Sequence, residues 1–203
     1  MELLTRPLQD QEATRLNSEI PQNFSDYFSF KKDQTVCDGP LSFEELKLEK
    51  SMIVIGDVSC KKTLSVPQGR SLIITGTLTA GAIIAVGKII ILGDLQAGDV
   101  YGDSFCNEVF CCRGDAKVRC LIEKGHDFQF MGDLDGKCVA SISNVVSIAK
   151  NKKVEKLYLG GIDDQKRREI FVPEIFDSNG SLKSDLAVRR ILDEKPLLQK
   201  ISD

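Results

Sequence analysis

Few residues in this chain could carry out chemistry, and the first of them is the single histidine, His126. It lies in the segment EKGHDF (123–128), with Glu123 and Asp127 as acidic neighbours. An imidazole beside carboxylates can act as a general base, so Tyr101, Glu123, His126 and Asp127 form one candidate polar site. A lone histidine in a turn is more often a surface or hydrogen-bonding residue. We therefore expect no enzyme, and an active site centred on His126 remains an alternative that would require a deep pocket joining these side chains.

Cysteine is the second reactive residue type. The chain has seven cysteines, an odd number without a secretion signal, so we expect reduced thiols and no disulfide framework. Cys106, Cys111, Cys112 and Cys120 lie close together in sequence but include no C-x-x-C pair. Strand alternation would place Cys111 and Cys112 on opposite faces. We expect neither a metal site nor a bound cofactor.

Composition and charge exclude several classes of partner. The chain has 203 residues and a formal net charge of −3, which gives no general attraction to nucleic acid or anionic lipid. The apolar run 72–98 contains five glycines and several polar residues, a pattern that argues against a membrane-spanning helix. The N-terminal residues lack an apolar core of signal-peptide length. We therefore expect a cytoplasmic protein with no nucleic acid or membrane partner.

A glycine motif recurs along the middle of the chain. Its copies are MIVIGDV (52–58), LIITGTL (72–78), IIILGDL (89–95), FCCRGDA (110–116) and FQFMGDL (128–134). The repeated glycines are 20, 17, 21 and 18 residues apart, and they are Gly56, Gly76, Gly93, Gly114 and Gly132. Repeats near this length are typical of solenoids, in which each coil stacks on its neighbours.

The motif also predicts which side chains form the core. Residues four before, two before and two after each glycine are apolar, which places them on one face of a strand. Each glycine should mark a bend or a left-handed backbone position. Cys120 and Cys138, each six residues after a repeated glycine, should stack as a ladder of apolar thiols.

The predicted fold is mainly β. We expect a single-stranded, parallel, right-handed β-solenoid of about five coils over residues 51–150. Residues 1–50 would form an N-terminal cap, which holds Phe24, Tyr27, Phe28 and Phe30 and a capping-box pattern at Ser42 and Glu45. Residues 151–203 would form a C-terminal capping segment with an α-helix from about Asp185 to Asp193.

The first three coils carry more apolar residues than one buried face requires. A strand with one solvent-facing side should alternate, yet both sides are apolar here. The surplus residues are Ile53, Ile55, Ile73, Ile90 and Leu92. This candidate partner-binding or cap-binding face should be covered by a terminal segment, with the helix around Leu186 and Leu192 as the first choice, or by a second copy or partner chain.

Longer stretches resemble a known family. The segments IIILGDLQAGDVYGD (89–103), LIEKGHD (121–127) and FVPEIFDSNGSLKSDLAVRRIL (171–192) resemble bacterial single-domain β-helix proteins of the polymer-forming, bactofilin-like type. The resemblance covers about residues 50–195. It implies a β-helix that acts through protein interaction or self-assembly, and some similar small proteins neutralise toxins. The long terminal caps depart from filament-forming bactofilins, whose ends are open for stacking.

The functional expectation combines these points. We expect a non-enzymatic bacterial protein-interaction module, such as an immunity or toxin-neutralising protein, that binds a protein partner or itself. A self-assembling, bactofilin-like structural protein is the first alternative. An enzyme centred on His126 is the second.

Overall fold

Two eight-stranded sheets form the body of the protein. The computed structural model describes residues 4–20, 22, 25, 28–104, 108–144, 146–159 and 162–199, and Phe24, Tyr27 and Cys106 lie outside this part. The described helices are α1 (Asp10–Glu19), α2 (Asp164–Ile170) and α3 (Ser184–Leu192), with a short 3-10 helix at Pro173–Ile175. The strands, in chain order, are β1 (Thr5–Pro7), β2 (Thr35–Asp38), β3 (Leu41–Phe43), β4 (Leu46–Lys47), β5 (Met52–Ile55), β6 (Val58–Val66), β7 (Ser71–Ile74), β8 (Leu78–Ala85), β9 (Lys88–Ile91), β10 (Leu95–Asp103), β11 (Val109–Cys112), β12 (Ala116–Lys124), β13 (Asp127–Phe130), β14 (Leu134–Ser141), β15 (Val146–Ile148) and β16 (Lys152–Tyr158).

The chain passes alternately between the two sheets. The short-strand sheet contains β1, β2, β5, β7, β9, β11, β13 and β15, and the long-strand sheet contains the remaining strands. Neighbouring strands are parallel, except that β1 runs antiparallel to β2. This arrangement confirms the predicted parallel β-solenoid.

The solenoid has about seven coils, not five. One extra coil, β2 to β4, precedes the predicted range 51–150, and another, β15 and β16, extends past its end. Register shows why the motif missed them. Cys37 pairs with Val54 and Leu41 with Val58, so Gly39 occupies the glycine position but is followed by proline. In the last coil the Gly-Asp pair is replaced by lysine and asparagine.

The predicted apolar ladders form the interior of the solenoid. Leu72, Ile89, Phe110 and Phe128 are all fully buried in one core cluster, and they pair in register across successive short strands. The rings of Phe110 and Phe128 lie 5.0 Å apart between centroids. The register of the glycine motif is therefore confirmed.

The repeated glycines are needed for close packing and not for a left-handed backbone. Among them only Gly56 has a positive φ, of 127°. A Cβ added to Gly93 would lie 2.5 Å from the carbonyl oxygen of Gly76, one coil earlier. The aspartates that follow extend the stacking, because the backbone N–H of Asp115 donates to the Asp94 carboxylate at 2.9 Å.

The long strands bend in the middle, and this bend changes which side chains point inward. In β10, Leu95 and Ala97 face the core, but the next core residue is Val100. Gly98 and Asp99 therefore both point outward, which is one outward residue more than strict alternation gives. The predicted stack of two apolar thiols is confirmed, because Cys120 and Cys138 are fully buried and pair in register. The stack lies in a second apolar cluster, outside the long-strand sheet.

The two terminal segments cover different sheets. Leu8, Ala13 and Leu16, in and beside α1, pack on the outer face of the short-strand sheet. The C-terminal segment, including α3, packs on the second half of the long strands, against residues such as Tyr101 and Ile122. The capping-box pattern at residues 42–45 does not begin a helix, because this segment forms β3 and β4 of the first coil.

Candidate functional site

The structure places the surplus apolar face under the N-terminal segment. Ile73, Ile90 and Leu92 are at most 5% exposed, and Ile53 and Ile55 are half-buried. All five contact the cluster that contains Leu16 of α1. The cover is therefore a terminal segment of the same chain, but not the helix around Leu186 and Leu192. That helix lies on the other sheet, because the bend creates a second apolar outer face there.

Glu123 is fully buried at the end of β12. Its Oε2 atom accepts hydrogen bonds from the Ser141 hydroxyl and from the backbone nitrogens of Ile142, Ser143 and Asn144, at 2.8–3.1 Å. Its Oε1 atom accepts from the backbone nitrogen of Gly125. Four of these five donors lie at the end of β14 and in the turn that follows it, so the carboxylate holds this turn in place. With its oxygens occupied, the carboxylate is not free to accept a proton from a substrate.

His126 is also fully buried, between β12 and β13. Its ring lies 5.3 Å from that of Phe128, and neither ring nitrogen forms a hydrogen bond with a described residue. Burial lowers the pKa of His126 to about 4, while the backbone of Val109 and the Asp103 carboxylate oppose this shift. The imidazole is therefore neutral at physiological pH and packs as an aromatic ring.

Tyr101 belongs to a network that attaches α3 to the solenoid. The tyrosine is fully buried, which raises the pKa of its hydroxyl, and it donates to Asp103 at 3.3 Å. The Lys124 ammonium lies 3.5 Å from the same carboxylate and donates to the Ser184 hydroxyl at 2.5 Å. Ser184 is the first residue of α3, and the residue before it, Lys183, makes no side-chain capping bond. The network therefore positions the helix.

Asp127 completes the set of four candidate residues, and it lies on a different sheet from Tyr101 and Glu123. It begins β13 in the short-strand sheet and accepts a hydrogen bond from the Gln129 amide at 2.7 Å. Tyr101 and Glu123 lie on the long-strand sheet. Because Tyr101, Glu123 and His126 are all sealed from solvent, the four side chains do not form one accessible catalytic site.

The cysteines are similarly enclosed. The six described cysteines are all free and buried, and burial raises the pKa of Cys112 to about 12. The described residues include no group of three or more His, Cys, Asp or Glu side chains placed to hold a metal ion. None of the helices in the described ranges has the length and apolar character needed to span a bilayer.

A different surface stands out once the covers are known. The first halves of the long strands, before the bend, are mostly exposed on their outer side, and the C-terminal segment reaches them only at one edge, beside Gly81 and Arg119. We call this surface the platform, and its exposed or half-exposed residues form two columns along the solenoid. The first column is Ser59, Thr79, Gln96, Lys117, Asp135 and Lys153. The second column is Lys61, Gly81, Gly98, Arg119, Lys137 and Glu155.

The platform is basic on an acidic chain. It carries five basic and two acidic side chains, a net charge of +3, whereas the whole chain has −3. A cavity of about 440 Å³ lies along Gln96, Lys117, Lys137 and Lys153. A second, of about 180 Å³, lies between Gly81 and the end of α3. Arg119 lines both cavities, so they lie side by side on the platform, and we call the two together the groove.

Sequence reasoning missed this platform because its residues look like ordinary solvated strand positions. The signal that could have found it is the net charge of the positions three and five residues after each repeated glycine, which strand alternation alone places on the outer side. Comparison of the chain with protein-family models, curated proteins and solved structures gives no match. The site must therefore be argued from its own geometry.

Proposed function

We propose that this protein is a non-enzymatic protein-interaction module that binds its partner on the platform. The observation that carries the proposal is that the terminal segments cover some outer faces of the solenoid and not others. The chain's own termini bury the outer face of the short-strand sheet and the second halves of the long strands, but leave most of the platform exposed. A rigid, regular surface with a groove and charged rims suits protein recognition.

The state of the candidate polar site also favours a binding role over catalysis. Glu123 anchors a turn, Tyr101 positions α3, and His126 is a neutral core residue. Each of these side chains has a structural task that a reaction would disrupt. The bactofilin-like resemblance adds the proposal of a bacterial, cytoplasmic partner, and an immunity or toxin-neutralising role is the case in which that partner is a toxin.

The test is affinity capture with three forms of the full chain. The first is the wild type, and the second combines Lys117→Glu with Lys137→Glu on the platform. The third combines Lys31→Glu with Lys32→Glu, exposed residues of the N-terminal segment that make the same change in charge. We expect a partner that the wild type and the control retain and the platform variant loses. Equal retention by all three forms, or no retained protein, would contradict the proposal.

Self-assembly is a second candidate, favoured by the two ends of the solenoid. In the described part of the chain β16 forms the last edge of its sheet, and its own residues Val154 and Leu157 are half-buried and pack on the core. This end carries Lys150, Lys152, Lys153 and Lys156, whereas the first coil carries Glu44, Glu45 and Glu49. Opposite charges favour stacking of one copy's last coil on another copy's first coil.

One feature opposes such stacking. At the first end of the short-strand sheet, β1 is the edge strand and pairs antiparallel with β2, so it occupies the edge that another copy would need. Light scattering after size exclusion separates the outcomes. Assembly through the ends predicts a mass that rises with concentration in the wild type but not when Lys152→Glu is combined with Lys156→Glu. A monomer at all concentrations rejects this second candidate.

A further inference from the structure

We infer that the platform binds an acidic, extended segment of a protein partner. This inference rests on the proposed function and specifies the chemistry of its binding surface. It follows from the shape of the groove and from the arrangement of charge within and beside it.

The shape of the groove suits an extended chain. It follows the direction in which the coils stack, from β6 to β16, and strands in a sheet are ~4.8 Å apart, so its length is about 24 Å. An extended segment of about seven residues spans this distance at ~3.4 Å per residue. Gly81 and Gly98 remove side chains from the middle of the second column, which deepens the groove beside Arg119.

Free positive charge lies at the centre of the platform. Arg119 is held by the buried carboxylate of Asp99 at 2.7 Å, and Lys61 lies 3.3 Å from Glu44. By contrast, Lys117 and Lys137 form no ion pair with any described residue. They lie on adjacent strands, β12 and β14, one in each column. Their ammonium groups can therefore bind carboxylates of a partner without breaking an existing pair.

Acidic residues beside the platform favour a protein segment over nucleic acid. Asp94, Asp115 and Asp133 form a column at the adjacent corner, and a cavity of about 480 Å³ joins them to Lys117 and Lys153. A uniformly charged phosphate backbone would lie against these carboxylates as well as the lysines. A protein segment can place acidic residues over the lysines and neutral or basic residues toward the corner, so it avoids this repulsion.

The test measures binding of labelled probes by fluorescence anisotropy. The main probe is a peptide of alternating Glu and Thr, about 12 residues long to exceed the groove. Its neutral counterpart has Gln in place of Glu, and a thymidine oligonucleotide of equal net charge represents nucleic acid. We expect the acidic peptide to bind most tightly, with an affinity that falls as salt rises.

The matched charge-reversal variants locate the interaction. Combining Lys117→Glu with Lys137→Glu should weaken binding of the acidic peptide about tenfold or more, whereas combining Lys31→Glu with Lys32→Glu should change it less than about twofold. Circular dichroism melts of both variants verify that the fold is retained. The inference is overturned if the acidic peptide does not bind, if the neutral peptide or the oligonucleotide binds as tightly, or if both variants weaken binding equally.

These outcomes also separate the inference from the proposed function. If partner capture depends on the platform but the acidic peptide does not bind there, the platform is an interaction surface for different chemistry, and only the inference fails. If partner capture is insensitive to the platform variant, the proposed function fails as well.

Discussion

The Glu123 carboxylate accepts a hydrogen bond from the backbone nitrogen of Asn144 at 2.8 Å, which joins two successive coils through a buried side chain. Glu123→Ala would leave the buried turn donors without this acceptor, and we expect a loss of about 3–5 kcal/mol in the free energy of unfolding. Glu123→Gln keeps one acceptor oxygen and should cost less. Urea denaturation measures both changes. Glu155→Ala, at an exposed position of β16, is the control and should change stability by less than about 0.5 kcal/mol.

The glycine column can be tested for close packing. Gly93→Ala would place a Cβ 2.5 Å from a backbone oxygen, and we expect a loss of about 2–3 kcal/mol from overpacking. Gly69 has a φ of 71° and open space around it, so Gly69→Ala should cost only about 1–2 kcal/mol for its backbone conformation. Chemical denaturation compares the two. A larger effect at Gly69 would mean that conformation matters more than contact.

The packing of the N-terminal segment on the short-strand sheet predicts that substitutions at two leucines have different effects on stability. Leu16 of α1 is 1% exposed, whereas Leu192 at the end of α3 is 51% exposed. Leu16→Asp buries an unpaired charge and should destabilise the protein by several kcal/mol and increase binding of a hydrophobic dye. Leu192→Asp should have little effect on either measurement. Dye binding by the Leu192 variant alone would contradict the assignment of the covers.

Burial of His126 predicts a specific dependence of stability on pH. The pKa of this histidine is lowered from 6.5 to about 4 in the folded protein, so the unfolded chain binds a proton first as pH falls. The stability that depends on a neutral, buried imidazole is fully present above pH 6.5. As pH falls from 6.5 toward 4, the free energy of unfolding should decrease by up to roughly 3 kcal/mol from this group.

His126→Leu removes this titration and serves as the comparison. Thermal melts of both proteins from pH 7 to 4 should show a steeper loss of stability in the wild type. The carboxylates paired with Arg6, those of Glu12 and Asp38, titrate in both proteins. Their effect on stability is therefore the same in both and does not change the difference between the two curves. Parallel curves over this range would show that the imidazole is not sealed from solvent.

The hydrogen bonds of Asp99 predict how the C-terminal segment is attached to the solenoid. This residue is 1% exposed, and its carboxylate accepts hydrogen bonds from Arg119 and from the backbone nitrogen of Leu197 at 2.7 and 2.8 Å. Asp99→Ala should cost about 2–4 kcal/mol and speed hydrogen exchange at Leu197. Asp135→Ala, at an exposed platform position, is the control. Unchanged exchange at Leu197 in the Asp99 variant would show that this segment is held by apolar contacts alone.

Much of the solenoid could be predicted because its signals are local. The spacing of Gly56, Gly76 and Gly93 indicated stacked coils, and the even offsets identified core residues such as Leu72 and Phe110. The first coil could also have been found from Gly39, since Cys37 and Leu41 have the right offsets. The last coil could not, because lysine and asparagine replace its Gly-Asp pair.

The candidate site was less accessible to sequence reasoning. Sequence grouped Tyr101, Glu123, His126 and Asp127 as a candidate polar site, but proximity in sequence does not show whether these side chains are exposed. Glu123 is buried because the turn after β14 closes over it, and that turn comes from the next coil. The burial of a charged residue is thus decided by donors that are distant in sequence.

The sequence by itself determined that this chain forms a parallel β-solenoid and that apolar side chains beyond the core require a cover. Only the tertiary structure decided which terminus covers which sheet and which surface remains bare. The physical reason is the bend in the long strands: it shifts side-chain alternation at Gly98 and Asp99, so Cys120 and Tyr101 face the C-terminal segment, whereas Lys117 and Lys137 lie before the shift and keep the outward positions that alternation gives them. No local pattern encodes this shift, because it arises from the packing of each coil on the one before it.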